Sequence, residues 1–156
     1  MAKNRMLLYL FFIIPLIIDR VSKWLILQFL VEPYEVNQFF SLDFVINRGI
    51  SLGIFHSENN IIFGLITISI IFIIIGLTWH IFSRAREEKK IIGELLILSG
   101  AFSNLIDRFY YAGVVDFILI SFNGWDFPIF NVADAVIIIG VVLMIFALMR
   151  ESKCLD

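Results

Sequence analysis

The chain has 156 residues, 60% of them hydrophobic and 17% charged, with a mean hydropathy of +0.95 and a formal net charge of −2. That length allows one domain, and charge this sparse falls below the quarter typical of soluble domains, so the surplus apolar surface is expected to face lipid. No basic, aromatic-interleaved patch points to nucleic acid, the lone Cys154 rules out an internal disulfide, and the isolated His56 and His80 offer no metal-ligand spacing.

Lys3 and Arg5 precede the first apolar run, residues 6–30. A basic start before an apolar stretch resembles a signal peptide, but Asp19-Arg20-Val21-Ser22-Lys23 stands where small cleavage-site residues would be, so the run is expected to be an uncleaved anchor. Asp19 and Lys23 are spaced i, i+4 and share one helix face, the acid N-terminal in the favourable order. They read either as an internal ion pair that fixes helix packing or as support for a functional group.

Residues 31–60 follow as a loop. Phe40, Leu42, Phe44 and Ile46 alternate with Ser41, Asp43, Val45 and Asn47, the period-two pattern of a half-buried strand, and Gly49 and Gly53 permit tight turns or close approach. The second apolar run, 61–82, leads into Arg84, Arg86, Lys89 and Lys90. The third, 91–112, carries Glu94 near its start, expected to reach out to water, and Asn104, Asp107 and Arg108 on one face near its end. Small Gly100, Ala101 and Ser103 suit close helix approach. The polar face reads either as interhelical glue or as part of a site.

A second loop, 113–128, contains Asp116 and an Asn123-Gly124 hairpin signal, with Pro128 weakening the second arm and Trp125 suited to a membrane interface. The fourth run, 129–149, opens with Phe130-Asn131-Val132-Ala133-Asp134, which alone is an ordinary helix start: Asn as N-cap, an acid in the first turn. Arg150 and Lys153 follow it.

Each run has about 21–25 residues, enough to cross a hydrocarbon core of ~30 Å, and inside lipid the backbone must satisfy itself as helix. The expected fold is therefore an all-α membrane protein, residues 1–156 forming one domain with four transmembrane helices and a small extracytoplasmic β platform from the outer loops. The basic residues place both termini in the cytoplasm and the two longer loops outside.

Asp116 and Asp134 then lie near the same membrane surface. Two close carboxylates cannot both ionise easily and share one proton, so one can take a proton from water while the other polarises a carbonyl. That chemistry needs no metal and no cofactor. A proton-coupled transporter relaying through Asp19, Asp107 and Asp134 is an alternative, although such proteins usually bind at the midplane and often show repeated halves. A non-catalytic assembly factor, with the acids as structural caps, is another.

Five motifs in order carry a resemblance along nearly the whole chain: Asp19-x-x-Ser22-Lys23, Asn47-x-Gly49, Asn104-x-x-Asp107-Arg108, Gly113-x-Val115-Asp116-Phe117 and Phe130-Asn131-x-Ala133-Asp134. With the four-run layout, the sequence resembles the lipoprotein signal peptidases, the bacterial type II signal peptidases. The resemblance implies an intramembrane aspartic endopeptidase of the bacterial cytoplasmic (inner) membrane. Such an enzyme removes signal peptides from prolipoproteins, cutting before a cysteine that carries diacylglycerol. It implies Asp116 and Asp134 as catalytic dyad, Asn47, Gly49, Asn104, Arg108 and Asn131 as substrate-binding, and Asp19, Lys23 and Asp107 as site support. Partners are lipid-modified prolipoproteins and membrane lipid, with the protein acting as a monomer. One departure is visible: Ser51-Leu52-Gly53 stands where the family usually has an aromatic after Asn47-x-Gly49.

Overall fold

The computed structural model describes residues 2–49 and 59–152, with side chains from Leu8 onward. Ser51-Leu52-Gly53, His56, Lys153 and Cys154 lie outside the described residues, as do the side chains of Lys3 and Arg5. Helices α1 (Ala2–Phe29), α2 (Asn60–Arg86), α3 (Ile92–Tyr111) and α4 (Val132–Ser152) accompany strands β1 (Tyr34–Asn37), β2 (Phe40–Asn47), β3 (Val114–Phe122) and β4 (Trp125–Asp126). The architecture is mostly helical with one small antiparallel sheet, ordered β1-β2-β3-β4.

By length and composition α2 and α4 could cross a membrane. Their apolar side chains face outward: Phe72, Ile73 and Trp79 on α2, and Ile138, Ile139 and Phe146 on α4, are all more than half exposed. Burial is inverted relative to a protein folded in water. The largest fully buried side chains are Lys23, Glu94, Val115, Asn131, Asp19, Asp107 and Asp116, all polar but one. Among the described residues, buried apolar side chains gather in two small clusters. Ile26 of α1 packs with Val115 and Phe117 of β3, and Ile81, Ile91 and Leu95 gather near the start of α3.

Helix α3 touches all three other helices. Its small residues let α4 come close: a Cβ on Gly93 would lie 2.6 Å from the Gly140 carbonyl oxygen, and one on Gly100 2.5 Å from that of Ala133. Backbone here packs on backbone, which fixes the start of α4 against α3.

The alternating segment is β2 as expected, but its register with β3 shifts between Leu42 and Val45. Leu42 and Ile46 pack on the core, whereas Phe44, expected on the same face, is 41% exposed because the irregularity breaks the two-residue period. The Asn123-Gly124 hairpin forms with both residues at positive φ, 49° and 78°, as a type I′ turn requires. After it β4 lasts two residues; the Phe127 N–H still donates to the Ile120 carbonyl, and beyond Pro128 the strands meet again at the Ile118–Phe130 bridge.

Glu94 corrects the expectation that it reaches water. It is fully buried, with Arg84 Nε 2.9 Å from its Oε1, and the same guanidinium holds Glu151 at 2.7 Å. Trp125 does project outward, 84% exposed at the hairpin tip.

Candidate active site

Asp116 reaches the interior because β3 is buried on both faces over its first four residues, beneath α1 and against α3. Asp134 occupies the first turn of α4, whose start is capped twice. The Asp134 N–H donates to Asn131 Oδ1 at 2.9 Å, and the Ala133 N–H donates to Asp19 Oδ1 of α1 at 2.8 Å. The N-cap pattern read in the sequence is therefore real, and it also serves the site. The same Asn131 turns its amide nitrogen onto Asp116 Oδ1, 2.6 Å away, so one side chain joins the two acids.

Two further amides complete the arrangement. Asn47, at the end of β2, donates to Asp116 Oδ2 at 2.9 Å and accepts the Gly49 N–H at 2.8 Å. Asn104 donates to Asp134 Oδ1 at 3.0 Å and accepts from Lys23 Nζ at 2.8 Å. The residues expected to contact substrate, Asn47, Asn104 and Asn131, are thus brought together, and all three hold the acids themselves.

Behind them lies a buried ionic layer. Lys23 Nζ is 2.8 Å from Asp19 Oδ2 and 2.8 Å from Asp107 Oδ2. Asp107 accepts the Val115 N–H at 3.2 Å, and Asp19 accepts that of Ala133. Each supporting carboxylate therefore grips a backbone N–H next to one of the central acids, Val115 before Asp116 and Ala133 before Asp134, and Lys23 ties the two grips together. Arg20 adds a 2.5 Å contact to Asp107, and the Ser103 hydroxyl donates to Asp19 at 2.6 Å. Neither was singled out for the site from sequence: Ser103 read as a small packing residue, and only its placement one turn before Asp107 on the polar face of α3 could have marked it.

Arg108 is buried, donates to the Gly49 carbonyl and lies 5.5 Å from the Phe63 ring centroid. It feels the charge of both Asp116 and Asp134. Gly49 enters through its backbone alone, its N–H on Asn47 and its carbonyl on Arg108.

Burial, with the neighbouring Asp134 carboxylate adding to it, pushes Asp116 up to about 7, against the Asn47 and Asn131 hydrogen bonds and the Lys23 charge. A group so placed can exchange a proton near neutrality, as general acid–base work requires. A cavity of about 930 Å³ lies elsewhere, at the start of α3 and end of α4 among Lys90, Ile92, Phe146 and Arg150, and takes no part in this cluster.

Comparison with known proteins supplies the reaction class that two buried, hydrogen-bonded acids leave open. The lipoprotein signal peptidase of Clostridium novyi is 36% identical over 150 residues, spanning 92% of this chain and 98% of its own. That of Buchnera aphidicola is 38% identical over 133 residues, spanning 83% and 82%. Among solved structures, one bacterial membrane enzyme superposes with a TM-score of 0.74 at 28% identity, covering 96% of this chain and 91% of its own. A second reaches 0.71 at 31% identity, covering 92% of each. The family model described as signal peptidase (SPase) II matches residues 11–150, a stretch that holds every member of the buried cluster from Asp19 to Asp134, and the chain belongs to that family.

Proposed function

We propose that this lipoprotein signal peptidase cuts its precursor with Asp116 and Asp134 as a catalytic dyad, before a cysteine whose sulfur carries diacylglycerol. The observation that carries the reading is the convergence of Asn47, Asn104 and Asn131 on these two carboxylates, 18 positions apart in sequence (134 minus 116) and joined by one asparagine. In an aspartic mechanism one carboxylate takes a proton from water while the protonated partner polarises the scissile carbonyl. Family membership makes the chain a peptidase, and its other polar groups fit that use. Asp19 and Asp107, two members of the alternative proton relay, are engaged with backbone N–H groups and brace the site.

The same reading gives the membrane layout. Helices α1 and α3 carry charges that would oppose insertion, yet Asp19, Lys23, Glu94, Asp107 and Arg108 are all buried and engaged within the protein rather than facing lipid. All four helices therefore cross the bacterial cytoplasmic membrane, termini on the cytoplasmic side and sheet and dyad at the outer face, as the basic residues require. The chain works as a monomer, since the dyad and its supports come from one copy. A lipidated precursor reaches the dyad laterally from the bilayer, with the Arg108–Gly49 contact fixing the edge of the groove.

The test uses purified protein and a diacylglyceryl-modified precursor, the products read by mass spectrometry. Asp116→Asn and Asp134→Asn each lose at least about 1,000-fold in turnover while remaining folded. Turnover within tenfold of the parent in either variant removes that acid from the mechanism.

A further inference from the structure

The cavity remote from the acids has walls graded from apolar to cationic. On α4, Leu143, Phe146, Ala147 and Arg150 follow at i, i+3, i+4 and i+7, so a single stripe runs from apolar side chains to a guanidinium at the helix end. The facing wall repeats the order at the start of α3, with Lys90 outermost and Ile92 further in. About 930 Å³ lies between the two walls, beyond the point where Gly93 and Gly140 bring the backbones together. A space of that size takes a polar headgroup and the first part of an acyl chain.

The charges around it are sorted. Glu94 and Glu151 are both held by Arg84, and Lys89 lies 2.6 Å from Glu87. Among the described residues the side chains of Lys90 and Arg150 have no hydrogen bond or ion pair, and neither has that of Glu88, the remaining acid of the lining. Two unengaged cations, one on each wall, therefore outnumber the one unengaged acid. Phe146 is 59% exposed, so the apolar wall opens sideways rather than closing over the cavity.

We propose that this cavity binds an anionic phospholipid of the cytoplasmic leaflet, its phosphate between Lys90 and Arg150 and one acyl chain along Leu143, Phe146 and Ala147. The inference rests on the membrane layout above, which sets the end of α4 at the cytoplasmic surface, and not on the dyad. Basic groups at that surface attract anionic lipid headgroups, and here they stand at the head of an apolar groove that a soluble phosphate would leave unfilled. The bound lipid ties the start of α3 to the end of α4, the two helices that carry Asn104 and Asp134.

The test is native mass spectrometry of the delipidated full-length protein in detergent, titrated with phosphatidylglycerol or phosphatidylcholine. One phosphatidylglycerol is retained, at least tenfold more tightly than phosphatidylcholine. Arg150→Gln weakens it about fivefold and the Lys90→Gln, Arg150→Gln pair about thirtyfold. Arg86→Gln removes the same charge from the same end of the helices but outside the cavity, and leaves binding within twofold. Ala147→Phe fills the apolar wall and releases the lipid with both cations in place. Equal retention of the two lipids, or an equal effect of Arg86→Gln and Arg150→Gln, overturns the site. So does displacement of the lipid by an equal concentration of glycerol 3-phosphate, which marks a soluble-anion site, or a dimer mass without added lipid, which marks a second copy on this face. The layout fails by a different reading: labelling of Cys154, the lone thiol, by an impermeant maleimide in intact cells overturns it, and the leaflet with it, whatever the titration gives.

Discussion

Lys23→Met removes the ammonium that joins Asp19, Asp107 and Asn104 while keeping the length of the side chain. The Lys23 side chain is 2% exposed, so water cannot take the ammonium's place. Taking one partner from a buried ion pair leaves uncompensated charge and costs about 3–5 kcal/mol. Two carboxylates are stranded here, but each keeps other donors. Asp19 retains Ser103 and the Ala133 N–H, and Asp107 retains Arg20 and the Val115 N–H. The lower end of the range, about 3 kcal/mol, is therefore expected, and at roughly 2–4 °C per kcal/mol it lowers Tm by about 6–12 °C. Turnover falls as well, because Asn104 loses the donor that orients its amide toward Asp134. The assay pairs thermal unfolding in micelles with cleavage of a lipidated precursor. Adding Asp19→Asn removes one stranded charge and recovers part of the lost Tm, which a mere packing defect would not do. A single variant with parental Tm and turnover refutes the brace.

Two further outcomes follow from the geometry. Asp116 is held near 7, above the ordinary carboxylate range, so it takes up a proton in the folded state more readily than in the unfolded chain. Its contribution to stability is present below pH ~4 and is lost as pH rises towards 7, on the order of 4 kcal/mol in all. Tm therefore falls between about pH 4 and 7, and Asp116→Asn flattens that slope; an equal slope in that variant refutes the assignment of the shift. Gly100→Ala forces a methyl group against the Ala133 carbonyl oxygen and Ile137, separating α3 from the start of α4. The expected result is a loss of about 1–3 kcal/mol and at least tenfold in turnover. Gly64→Ala, with nothing within 4 Å, is the control, and equal behaviour of the two variants counts against the close approach.

The four helices were legible because lipid-length apolar runs and basic flanks are local signals, and α2 and α4 pass the same test in the structure. The hairpin turn was legible for the same reason, since Asn123-Gly124 meets a backbone requirement at its own position. The candidate site's residues were legible as motifs, but the contacts each makes were not. Asp19 meets the Ala133 N–H across 114 positions, and no periodicity encodes that contact. Asn131 read as an ordinary cap because capping uses its oxygen, while its nitrogen reaches Asp116 on another element. The register shift in β2 hid the outward turn of Phe44, and β1 gave no alternation strong enough to expect. Glu94 was misplaced because its partner Arg84 lies across a helical turn-around, in a stretch that reads only as a topology signal.

The two charged knots on α3 have a mechanical consequence. Glu94 near one end and Asp107 near the other are 13 residues apart, roughly 20 Å along the axis. A rod pinned at both ends can neither spin nor slide without tearing a guanidinium or ammonium from its acid. The stretch between them is thereby relieved of specifying rotation, a task that greasy surfaces in a greasy solvent perform badly. Assembly fidelity in this protein is written in a handful of ions, and its outward-facing leucines, isoleucines and phenylalanines are left only to meet the lipid around them.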